Sequence, residues 1–178
     1  TTWTDRSAAT YTGSGDTRWS FAQFGDATIA ANRTDTIQRT TSGSFAAISG
    51  APKAKIVFTV GSFVMAMNVN DGAEKPNGWH CCASFDDTDW TEDVATQSAS
   101  GQLVATPGEL TAGARLAEYA VAFKKSSTYL GQYVGAPSVW DWVAVPGDVG
   151  CVGQEAVCDI DGALFFVCAD NFWVFDGT

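Results

Sequence analysis

The chain has 178 residues, enough for one domain that buries most of its apolar surface, and it is 46% hydrophobic but only 17% charged. A formal net charge of −10, with no basic run longer than Lys124-Lys125, argues against tight binding to nucleic acid, because such binding relies on basic side chains displacing counterions. The longest apolar stretches, such as Ile56 to Val60 and Ala163 to Cys168, fall far short of the roughly 20 residues of a membrane helix, so no membrane partner is expected.

Residues 1–18 read as an N-terminal arm or the end of a preceding unit. Beyond them, short apolar runs alternate with Gly, Asp-Gly and Asp-Asn turns and show no helical period, the pattern of strands and hairpins. The first unit (19–50) opens with Trp19 to Phe24, turns at Gly25-Asp26, returns from Ala27 to Asn32 and adds Asp35 to Thr40. The second (51–105) has Lys55 to Val60, a turn at Gly61-Ser62, then Phe63 to Val69 and, after a loop, Trp79 to Phe85. The third (106–148) reads Arg115 to Phe123, a turn at Lys124-Lys125, Ser126 to Val134 and Val139 to Val145. In the fourth (149–178), Gln154 to Ile160, the Asp161-Gly162 turn, Ala163 to Cys168, the Asp170-Asn171 turn and Phe172 to Phe175 follow one another. The interval from Gly25 to Gly61 nearly matches that from Lys125 to Gly162, which marks the units as repeats.

Runs such as Ile56-Val57-Phe58 and Leu164-Phe165-Phe166-Val167 are apolar on both strand faces, so they call for sheets covered on both sides. A β-propeller supplies that cover, since each four-stranded blade packs between two neighbours. The expected fold is therefore all-β, a propeller-like array of three to four antiparallel blades; a β-sandwich, with cleaner alternation and less repetition, is the alternative. Propellers close with about four to eight blades. The low unit count and a first residue other than Met lead to the expectation that the chain is part of a larger ring with two uncovered end faces.

Five cysteines, two of them adjacent (Cys81 and Cys82, with Cys151, Cys158 and Cys168), suit reduced, buried small hydrophobes better than a disulfide framework. No CxxC pair offers a zinc site. His80, the only histidine, shares a strand face with Cys82, but no orienting partner is visible and a structural strand is the expected role. In the acidic stretch Phe85 to Asp93, Asp86, Asp87 and Asp89 form a weak candidate calcium loop that lacks EF-hand spacing; a solvated turn is the plainer expectation. Ser84, Asp86, Thr88 and Trp90 are similar to the Asp box of sialidase-type propellers, a turn-stabilising device, though one residue short and without its Gly. Asn32-Arg33-Thr34 is formally a glycosylation sequon and is read as coincidence. Exposed aromatics are possible sugar platforms, but most are expected to pack blades. No catalytic residue and no cofactor is indicated.

The segment Phe24-Gly25-Asp26-Ala27-Thr28-Ile29-Ala30-Ala31-Asn32, followed by Gln38, resembles a hairpin of virion proteins from tailed bacteriophages. Gly50-Ala51-Pro52-Lys53-Ala54 with Trp79, Ala83-Ser84 and Thr88-Asp89-Trp90 is similar to their next blade. Val121 to Tyr129, Asp161-Gly162 and Trp173 to Gly177 are similar to their closing pattern, from which Cys81-Cys82 depart. The resemblance covers most of residues 19–178 and is to tail hub or nozzle proteins, including packaged-DNA stabilisation proteins. It implies a non-enzymatic structural role in a phage or prophage tail and a homo-oligomeric ring next to other tail proteins or the portal. It also implies location in the virion after synthesis in the host cytoplasm. An acidic wall would let DNA slide and not grip it. The alternative is a glycan-binding or glycan-cleaving receptor-recognition propeller; a bacterial interaction scaffold is a third.

Overall fold

The computed structural model describes residues 2–177, which form four small antiparallel sheets, none closed into a barrel, with no α-helix among them. The first sheet is β1 (Ser20–Phe24), β2 (Ala27–Ala31), β3 (Gln38–Thr40) and β4 (Ala46–Ala47). The second is β5 (Lys53–Val60), β6 (Phe63–Asn70), β7 (Glu74–Cys81) and β8 (Ala99–Gln102). In the third, β9 (Leu110–Leu116), β10 (Tyr119–Lys124), β11 (Thr128–Gly135) and β12 (Val139–Ala144) follow. The fourth has the three strands read from its sequence, β13 (Val157–Asp159), β14 (Leu164–Val167) and β15 (Phe172–Phe175), one short of a four-stranded blade. Within every sheet the strands lie in chain order, so each is an up-and-down meander.

Each meander opens on a tight hairpin for a local reason. Phe24 faces Ala27 across Gly25-Asp26, and Val60 faces Phe63 across Gly61-Ser62. Both Gly25 and Gly61 sit at φ +55°, where a side chain would be strained. The equivalent turn in the third sheet is Ala117-Glu118, joining Leu116 to Tyr119. The run Arg115 to Phe123 is therefore not one strand but the two arms of a hairpin. Lys124-Lys125 belongs to the next connection, where the Lys124 N–H donates to the Ser127 carbonyl. The expected strand from Gln154 also begins later, because Gln154–Ala156 form a 3-10 turn before β13.

The sheets pack in a row through their first strands, β1 against β5, β5 against β9 and β9 against β13. One core joins the first three sheets, with Ile29, Ile56, Val57, Phe63, Met65, Met67 and Ala122 buried. A second joins the third sheet to the fourth through Val121, Phe123, Leu164 and Phe166. A first strand has one edge without a strand partner, and polar side chains from neighbouring sheets satisfy it. The Ser20 hydroxyl accepts from the Val57 N–H at 3.0 Å and donates to the Val57 carbonyl at 3.1 Å. The Gln154 carboxamide does the same for Gly113, at 2.8 and 2.9 Å.

Two-sided cover is complete in the middle of the row and fails on the fourth sheet. Ile56, Val57 and Phe58 are all buried, as their pattern requires. In β14 only Leu164 and Phe166 are buried; Phe165 and Val167 stand on a half-open face.

Candidate functional site

His80 and Cys82 do lie in the core, but the surroundings suppress their chemistry. Both His80 ring nitrogens lack a partner in hydrogen-bond geometry among the described residues, and the ring packs edge-on against Trp90 at 5.5 Å. Burial holds its pKa below the ordinary value, so the ring is neutral near pH 7. Burial also pushes the Cys81 thiol up to about 11 and the Cys82 thiol up to about 12, which leaves no thiolate for attack. Cys81, Cys82 and Cys151 are buried and free of disulfides. Cys158 is exposed and Cys168 half-buried, so the expectation of uniformly buried cysteines is corrected for these two.

The candidate calcium carboxylates are engaged one by one. Asp86 accepts from the Thr88 N–H and hydroxyl, Asp89 from the Thr91 N–H, and Asp87 pairs with Arg39 at 2.5 Å. No metal-binding group of three or more His, Cys, Asp or Glu occurs among the described residues. The loop is also less solvated than expected, since Asp87 and Trp90 are buried and the Trp90 indole donates to the Asp87 carbonyl. Arg39 comes from β3, so this turn ties the second sheet to the first. The sequon asparagine, Asn32, is likewise buried, with its carboxamide bonded to Thr12, Thr34 and Asp35.

The surface has two further features, the first unmarked in the sequence and the second expected from the low unit count. One is a groove of about 440 Å³ between the second and third sheets, lined by Phe63, Phe85, Tyr133 and Trp140 with Glu118 and Gln132. These residues come from separate turns and strands and converge only on folding. The other is the pair of end faces of the row. On the first sheet Tyr11, Trp19, Phe21 and Phe45 border an apolar groove of about 240 Å³, and Phe21 is 61% exposed. On the fourth, Phe172 is 72% and Val174 58% exposed, with Phe172 stacked on Phe165 at 5.8 Å. The exposed pair Arg18 and Glu155, 3.7 Å apart, reaches between the segments leading into these two sheets, yet the faces themselves stay open.

The charge of the two ends differs. The fourth unit carries Glu155, Asp159, Asp161, Asp170 and Asp176 and no Lys or Arg. The first unit, with the arm that precedes it, balances Arg6, Arg18, Arg33 and Arg39 against Asp5, Asp16, Asp26 and Asp35.

Neither a family model nor a curated protein matches the chain. Among solved structures, the crystal structure of the computationally designed Ika4 protein is similar, with a TM-score of 0.54 over 91% of this chain and 92% of that one. At 9% identity this likeness concerns the fold alone.

Proposed function

We propose that the chain is a non-enzymatic structural module whose four sheets are blades of a propeller-type ring, completed by a second copy. The observation that carries this reading is the pair of exposed apolar end faces, centred on Phe21 and on Phe172 with Val174. A monomer that leaves two such faces in water invites association. Pairing first sheet to fourth sheet covers all four faces of two copies in one closed assembly of eight blades, within the usual range for propellers. Pairing fourth to fourth would set five carboxylates against five and leave the first sheets open. The resemblance to tail hub and nozzle proteins supports placing this ring in a phage or prophage tail, beside the portal or other tail proteins, where an acidic surface does not hold DNA.

The test is the mass of the full chain and of two variants by light scattering after gel filtration. Both Phe21→Asp and Val174→Asp are expected to yield monomers, because each spoils both junctions of a head-to-tail pair. A dimer that survives either substitution contradicts this arrangement, and a monomeric parent chain contradicts the closure by a second copy.

A further inference from the structure

We propose that the groove between the second and third sheets binds a neutral carbohydrate, an activity separate from assembly. Its floor is Phe63 and Trp140, packed edge to face at 5.6 Å, with Tyr133 at 5.4 and 6.0 Å from them. The Tyr133 hydroxyl donates to the Gln97 carboxamide oxygen at 2.9 Å, which fixes the ring while leaving part of its face open. Across the groove stands Phe85, 84% exposed and at φ +62°. A bulky residue in the left-handed region is strained by about 1–2 kcal/mol, and an aromatic ring in water gains nothing from packing. The Phe85 N–H donates to the Ser62 carbonyl at 2.8 Å, so the strained backbone is anchored to the β5–β6 turn and keeps the residue beside the groove.

The polar rim completes the site. The side chains of Glu118 and Gln132 make no hydrogen bond or ion pair among the described residues, and both border the groove. A sugar ring offers one apolar C–H face and a rim of hydroxyls. The first suits the open faces of Phe85 and Tyr133; the second suits a free carboxylate, which accepts, and a free carboxamide, which both donates and accepts. The volume falls in the range of small-molecule sites and exceeds what a lone quaternary ammonium would fill. The floor rings, moreover, pack edge to face against one another and leave no cage for a cation.

The experiment titrates the full chain with neutral cello-, malto-, xylo- and chito-oligosaccharides and, separately, choline, read by saturation-transfer NMR and tryptophan fluorescence. At least one oligosaccharide is expected to bind with a Kd of about 1 mM or tighter. Phe85→Ala should weaken it about tenfold and Glu118→Gln about fivefold, with unchanged unfolding midpoints. Silence across the sugar panel, binding indifferent to Phe85→Ala, or binding of choline alone each overturns the proposal. None of these outcomes depends on whether the chain dimerises, because Phe21→Asp can be titrated in the same way.

Discussion

His80 takes an imidazole into the core with neither nitrogen in good hydrogen-bond geometry among the described residues, so its protonation is coupled to folding. Its folded pKa lies below the unfolded value of 6.5, mainly through desolvation, and the unfolded chain therefore binds the proton more readily. The sign follows: this contribution to stability is complete above pH 6.5 and is lost as pH falls through the folded pKa. Urea titrations between pH 7 and 5 should show stability falling, and His80→Phe, which keeps the ring against Trp90, should flatten that slope. An unchanged slope would mean that carboxylates alone set the acid limit. Lys124 is the converse case, a charge read as part of a turn but fully buried. Its ammonium donates to the Leu103 and Thr106 carbonyls at 2.6 and 2.5 Å, and Nζ lies 5.4 Å from the Tyr129 ring centre. Lys124→Met strands both carbonyls and should destabilise the chain by about 2–3 kcal/mol, measured by urea unfolding. A change below about 0.5 kcal/mol would show that water replaces the ammonium.

At the scale of elements, the sheet-to-sheet contacts depend on small residues as much as on large ones. A Cβ on Gly113 would lie 2.7 Å from Phe58 and 2.9 Å from the Met67 sulfur, so Gly113 sets how closely the third sheet approaches the second. Gly113→Ala is expected to cost about 1–3 kcal/mol through overpacking, visible as a lowered unfolding midpoint; an unchanged midpoint would show that the interface has room. The hairpins at Gly25-Asp26, Gly61-Ser62 and Asp161-Gly162 were legible because each turn carries a glycine at positive φ between apolar runs. Ala117-Glu118 was not legible: Ala117 takes φ +52° without any of the residues that announce such a turn, while Lys124-Lys125 imitates one. The carboxylates of the acidic loop were visible as a cluster, but the engagement of Asp87 depends on Arg39, distant in sequence. The groove residues had no shared signal, since Phe63, Phe85, Glu118, Gln132, Tyr133 and Trp140 meet only after the second and third sheets pack.

For the whole molecule, burial on both faces of β5 and one open face at each end of the row have the same origin: a sheet in this arrangement is complete only when it has two neighbours. The fourth sheet shows this most plainly, because β14 carries an apolar pattern for two faces and has a partner on one. The proposed head-to-tail pairing of two copies would supply the missing neighbours at both ends and keep the acidic fourth sheets apart. The salt response follows from that division. The junction is mainly apolar, so dimerisation should weaken little between low and moderate salt, whereas an assembly held by ion pairs would dissociate. The most direct measurement is sedimentation equilibrium of the full chain at micromolar concentration. The predicted result is a mass twice that of the 18.8 kDa chain, reverting to one chain mass on Phe21→Asp; a mass of 18.8 kDa for the unaltered chain would contradict the account.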